Sequence, residues 1–210
     1  MANNYLQYID PHKKPTDRTT KNIDPTIINE IIRQSRDRGY DPKYTVALAG
    51  AETNFGTKKH GIVNPMSYVW RSDQPAIDRL IANTPDFKQL KQHTAEMITQ
   101  GMPITQALAS ERYGVDTIKA KASIINSLNT LDDKKEWLKK KSLPTDPAHL
   151  TWAYQGTGIP NKYEIPHGYA YGKPVKVNTP RGKQPTMVRQ MMTEFSKKGN
   201  QLGDYIRSFR

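Results

Sequence analysis

The 210-residue chain is predicted to fold as a mainly α-helical domain, on three observations. Asp or Thr followed by Pro joins an N-cap to a residue preorganised for the first helical turn, and the pair recurs at Asp24-Pro25, Asp41-Pro42, Thr84-Pro85 and Asp146-Pro147. Apolar residues return at intervals of three and four rather than two. Period-two alternation is missing until Lys173-Pro174-Val175-Lys176-Val177, where proline interrupts it.

Residues 1–22 carry too little apolar density to join a core and read as an N-terminal extension. A helix over 25–38 follows, with Ile27, Ile28, Ile31 and Ile32 on one stripe and Gly39 placed to end it. The next, 42–54, sets Tyr44, Leu48, Ala51 and Phe55 at helical spacing before Gly56. Further helical segments are expected at 74–83, 86–100, 104–112, 116–128 and 132–141, and then at 147–155, where Leu150 and Tyr154 lie four apart. From 156 to 185 the chain is rich in Gly, Pro and Tyr, which predicts an ordered loop or short hairpin region against the helical body. A last helical segment, 187–197, carries Met187, Val188, Met191, Met192 and Phe195, a stripe suited to docking rather than to holding a cofactor. The expected organisation is an extension over 1–22, a catalytic domain over 23–172, and a basic C-terminal tail over 173–210.

Composition narrows the function classes. Hydrophobic residues make up 35% of the chain and the mean hydropathy is -0.80, so the surface is strongly hydrated. No apolar run approaches the roughly 20 residues needed to cross a bilayer, and the start MANNYLQYIDPHKKP lacks an apolar secretion segment. Zero cysteines exclude thiol catalysis and thiolate metal sites. His12, His60, His93, His149 and His167 show no ligand spacing, and there is no phosphate-binding glycine loop and no Gly-x-Ser-x-Gly elbow, so no cofactor is expected. A net charge of +12 predicts attraction to polyanions. Nucleic acid has only that charge in its favour, without a helix-turn-helix, finger or aromatic-basic motif. The tail holds nine Lys or Arg against Glu194 and Asp204, a composition suited to anionic cell-wall or envelope polymers.

The chemistry-bearing segment is Val46-Ala-Leu-Ala-Gly-Ala-Glu52-Thr-Asn-Phe-Gly56. A carboxylate gains nothing from Leu48, Ala49 and Ala51 around it, so a glutamate closing such a turn is either a salt-bridged helix end or a group held for chemistry. Partial burial favours the protonated carboxyl, which is what protonation of a glycosidic bond requires.

This segment resembles the catalytic helix of lytic transglycosylases and goose-type lysozymes, in which an apolar helix ends in Glu followed by Ser or Thr and an aromatic-glycine turn. Glu52-Thr53, with Phe55-Gly56 after it, matches. Downstream, Thr151-Trp-Ala-Tyr154-Gln155-Gly156-Thr-Gly158 is similar to the same family's Ala-Tyr-Asn-x-Gly segment, with Gln155 in place of the usual Asn. Between them, Gly61-Ile-Val-Asn64-Pro65-Met66-Ser67 stands where the family often has Gly-Leu-Met-Gln, and Asn64-Pro65 is closer to a turn of bacterial β-N-acetylglucosaminidases.

The resemblance implies a lysozyme-like domain that acts on bacterial peptidoglycan, with Glu52 as a single acid/base. It implies substrate contacts from Thr53, Asn64, Tyr154, Gln155 and Gly156, while Tyr163 and Tyr171 offer flat faces for sugar rings from the Gly/Pro-rich stretch. The bond expected to break joins N-acetylmuramic acid to N-acetylglucosamine, by a lytic transglycosylase mechanism. A hydrolytic muramidase or β-N-acetylglucosaminidase is the alternative. A rival of another class is an inactive lysozyme-like structural or ejected virion protein, in contact with other virion proteins. A cell-wall enzyme made in the bacterial cytoplasm without a secretion signal fits a bacteriophage lysin, carried in the virion or released through a pore. Asp73, Asp78, Glu111 and Asp116 lie between the motifs and read as surface charges rather than as a second catalytic carboxylate. One geometric expectation follows: Tyr154 should approach the Glu52 carboxyl directly or through one water.

Overall fold

A computed structural model describes residues 6–9, 20–53, 55, 66, 74–154 and 180–209. It is mainly helical. In chain order the elements are β1 (Leu6–Ile9), β2 (Thr20–Ile23), α1 (Pro25–Asp37), α2 (Pro42–Thr53), α3 (Gln74–Ala82), α4 (Pro85–Thr99), α5 (Ile104–Lys140), α6 (Pro147–Tyr154), α7 (Pro180–Ser196) and α8 (Gln201–Ser208).

Three of the four Asp/Thr-Pro pairs cap a helix through the side chain. Asp24 accepts from the Thr26 amide at 2.9 Å, Asp41 from the Lys43 amide at 2.9 Å, and Asp146 from the Ala148 and His149 amides at 2.9 and 3.2 Å. Thr84 takes the extended N-cap conformation, yet its hydroxyl donates to the Leu80 carbonyl at 2.8 Å and ties α4 back to α3. Gly39, at φ 71, follows α1 as expected.

The expected helical segments 104–112, 116–128 and 132–141 are one helix, α5, of 37 residues and about 55 Å in length. Residues at the expected gaps serve tertiary contacts instead of ending the helix. A β-carbon on Gly114 would lie 2.8 Å from both terminal methyls of Leu90, so glycine there lets α4 pack closely on α5. Asn129 accepts from Arg38 at 2.7 Å, and the neighbouring Asp132 takes Arg38 at 2.6 Å and the Tyr40 hydroxyl at 2.7 Å. These bonds pin the end of α1 to the second half of α5.

Because α5 is so long, it serves two separate cores. Near its first half, Ile81, Ile118 and Ala122 form a small cluster with Leu80, Phe87 and Leu90, making an arm of α3, α4 and α5. Its second half contributes Ile124, Leu128, Leu131 and Leu138 to the main core, where α5 packs against α1 and α6.

The main core extends beyond the expected boundaries at both ends. Leu6 pairs with Ile23 in the antiparallel β1–β2 ladder and packs on this core, and β1 lies against α8. Strands of four residues are too short to show alternation, which is why 1–22 reads as an extension. At the other end, Val188, Met191 and Phe195 of α7 and Leu202 and Ile206 of α8 are buried in the same core. Asn200 caps α8 by accepting from the Gly203 amide at 2.8 Å. The segment 173–177 lies outside the described residues.

Gly203 sets how closely α8 folds onto α7, since a β-carbon there would stand 2.1 Å from the Phe195 carbonyl oxygen. Backbone cannot step aside as a side-chain tip can. Gly203→Ala gains up to about 1 kcal/mol of helix propensity and should still destabilise, because overpacking costs roughly 1–3 kcal/mol or more. Urea unfolding should show a lowered midpoint; a midpoint at or above wild type would contradict the close α7–α8 crossing.

Candidate active site

The site is built around a helix with no polar face. Every residue of α2 from Tyr44 to Thr53 is buried, where the sequence pattern predicts a single stripe of Tyr44, Leu48, Ala51 and Phe55. Between Lys43 and Glu52 no side chain is charged, and Ala47, Ala49, Gly50 and Ala51 are small enough for neighbours to approach from all sides. α1 and α7 pack along α2, and α8 touches it. The polar Thr45 is absorbed by a hydrogen bond with Ser35 of α1 at 2.6 Å, while Ser35 donates to the Ile31 carbonyl at 2.5 Å. Glu52, in the last turn, is 8% exposed.

The chain after Glu52 is clamped. Thr53 is 2% exposed and its hydroxyl donates to the Ala49 carbonyl at 3.2 Å. The Phe55 amide reaches the same carbonyl at 3.2 Å. Phe55 has φ 59, a left-handed conformation that costs a non-glycine residue about 1–2 kcal/mol. Its ring is buried at 1% exposure and occupies the space a side chain at Gly50 would need. A β-carbon on Gly50 would lie 2.6 Å from Phe55 Cζ and 2.7 Å from Met191 Sδ. Phe195 of α7 completes the contact, its ring centroid 6.4 Å from that of Phe55 at a tilt of 49°. Sequence reasoning missed Gly50, Met191 and Phe195 as supports of this turn, and no local signal could have assigned them.

α6 brings the downstream motif to the same body. Asp146 caps α6 and also meets the His149 ring, Nδ1 to Oδ2 at 2.5 Å, with His149 5% exposed. Thr151 donates to the Pro147 carbonyl at 2.6 Å, and its oxygen lies 3.4 Å from the Tyr44 hydroxyl of α2. Tyr154 donates to the Met66 carbonyl at 3.1 Å. α6 therefore meets α2 through Thr151 and Tyr44, and Met66 through Tyr154. The described hydrogen bond of Tyr154 runs to Met66, and Ala51, Phe55, Met66 and Tyr154 all pack into the main core. Asn64, Gln155, Gly156, Tyr163 and Tyr171 lie outside the described residues, as does Asp73.

Asp78, Glu111 and Asp116 belong to the arm helices α3 and α5. Glu111 is ion-paired with Lys91, whose hydrogen bond is the main reason its carboxyl is held below the usual range. Among the described residues, no group of three or more His, Cys, Asp or Glu side chains could hold a metal ion. Complete burial pushes the Tyr44 hydroxyl well above its ordinary value, so it stays a neutral phenol. Burial pushes the Asp146 carboxyl up, but the hydrogen bonds from the His149 ring and from the His149 and Ala148 amides outweigh it and hold the group below its usual range.

Comparison with protein-family models, with curated sequences and with solved structures finds no match to this chain.

Asp146 gives a pH-dependent contribution to the placing of α6. Its folded value is depressed, so the stabilisation is present above the ordinary value of 3.8 and is lost as pH falls through the folded value. Asp146→Ala should cost about 1 kcal/mol near neutral pH, the usual worth of an N-cap. That gap should shrink in acid. Thermal melts of both proteins across pH would refute the assignment if the gap stayed constant down to the acid limit.

Proposed function

We propose that the protein cleaves the glycan strands of bacterial peptidoglycan between N-acetylmuramic acid and N-acetylglucosamine, with Glu52 as the acid/base. The observation that carries this reading is the setting of Glu52: a carboxyl 8% exposed at the end of a helix buried on every side. It is followed by a backbone-strained aromatic residue and joined through Tyr44 and Thr151 to the helix bearing Tyr154. Strain and buried acidic groups are costly, and they gather where chemistry requires them.

As the acid of this reaction, Glu52 must hold a proton until the glycosidic bond breaks. Glu52 gives its proton to the glycosidic oxygen as the bond from C1 of muramic acid breaks. The resulting carboxylate then takes the proton of the same sugar's C6 hydroxyl, whose oxygen closes on C1 and leaves a 1,6-anhydro end. With water as the attacking group, the same proton economy gives a reducing end. Tyr154, anchored by the Met66 carbonyl, would hold the wall of the site against which the sugar lies. The net charge of +12 draws the protein to anionic wall and envelope polymers.

Digestion of purified cell walls followed by mass spectrometry tests the reading. Wild-type protein should release muropeptides with a 1,6-anhydro end. Glu52→Gln, isosteric but unable to exchange a proton near neutral pH, should lose roughly 10²–10⁴-fold in rate with the fold kept. Products one water heavier would reassign the protein to the hydrolytic branch. Wild-type levels of release from the Gln variant, or none from wild type, would refute the proposal.

A further inference from the structure

We infer that Met191 and Phe195 of α7 are positioning residues for Glu52, acting through Phe55 and Gly50. The inference rests on the reading of Glu52 as the acid/base, and it places part of the working site in a segment beyond the region that carries the motif resemblance.

Two turns of α2 are lined by Ala and Gly, and at Gly50 the missing side chain is replaced by two groups at once, Phe55 Cζ and Met191 Sδ, at 2.6 and 2.7 Å from where a β-carbon would stand. The ring and the sulfur therefore meet over the α2 backbone, the kind of sulfur–aromatic contact that favours a thioether. Phe55 reaches that place only by adopting φ 59 three residues after Glu52, a conformation that persists when surrounding contacts hold it. Those contacts come from α7: Met191, 1% exposed, meets the ring over Gly50, and Phe195, fully buried, lies 6.4 Å away centroid to centroid.

Releasing either α7 contact frees Phe55 to relax toward an ordinary backbone conformation. The end of α2 is tied to Phe55 through the Ala49 carbonyl, which accepts both the Phe55 amide and the Thr53 hydroxyl. Relaxation thus moves the last turn that carries Glu52. A core position elsewhere lacks this linkage: Leu131, also fully buried, sits on α5 where that helix packs against α1 and α6. Truncating it removes comparable apolar bulk without touching the clamp.

The test uses full-length wild type, Met191→Ala, Met191→Leu, Phe195→Leu and Leu131→Ala, each checked for folding by circular dichroism. Two readouts are taken: kcat and KM for wall glycan cleavage, and titration of the Glu52 carboxyl by carbon-13 NMR, assigned by its loss in Glu52→Gln. Met191→Ala and Phe195→Leu should lower kcat about tenfold or more, as expected for a misplaced reacting group. KM should change little and the Glu52 titration should move. Met191→Leu should restore both towards wild type, and Leu131→Ala should leave both unchanged. Phe195→Leu carries the test alone if Met191→Ala does not fold. An unmoved titration in the α7 variants, or an equal shift in Leu131→Ala, overturns the inference. If wild type cleaves no glycan, the acid/base reading fails, and the titration alone still decides whether α7 sets the surroundings of Glu52.

Discussion

A helix buried on all sides is the constraint on which this structure depends. α2 has no face to offer water, so everything around it must cover it: α1 on one flank, α7 on another, and α8 behind. Such a helix is stable only when its neighbours are in place, because its own stretch of small residues gives little packing area by itself. That dependence explains why the chain carries its C-terminal helices into the same core rather than leaving them as a tail. It also fixes where Glu52 sits, since the last turn of an enclosed helix cannot swing out to solvent without undoing the packing behind it.

The second feature is the division of labour along α5. One continuous helix supports the arm with its first half and the main core with its second, and the junction requires no loop. Two sets of polar ties stand at the rim of the main core: Arg38, Tyr40, Asn129 and Asp132 form one, and Asn29 and Tyr205 the other at 2.6 Å. The buried polar groups on α2 and α6, Thr45, Thr53 and Thr151, each hydrogen-bond locally to backbone or a neighbouring hydroxyl, so they cost little where charged side chains would cost much.

What could be read from the sequence was the chemistry of short range. Asp24, Asp41 and Asp146 announce helix starts because an N-cap acts over two or three residues. The buried setting of Glu52 could be read from the uncharged run before it. What could not be read depends on contacts between distant positions. Gly114 looks like a break and is a packing site for Leu90; Gly203 argues locally against a helix, and only the Phe195 backbone beside it explains its presence. β1 and β2 are too short to show a pattern. For α2, the same lack of charge that marked Glu52 also meant burial on every face, a conclusion that the spacing of Tyr44, Leu48 and Ala51 obscured. The clamp at Gly50 combines all of these difficulties, because it joins a missing side chain, an unusual φ and a sulfur from a helix more than a hundred positions away.

In the proposed reaction Glu52 delivers the proton that lets the glycosidic bond break. The most direct measurement is the pH dependence of the cleavage rate on purified glycan strands. With Glu52 as the acid, the wild-type rate should show an alkaline limb that is missing from the residual activity of Glu52→Gln. An alkaline limb shared unchanged by the Gln variant, or no alkaline limb at all, would contradict the proposal that Glu52 is the acid.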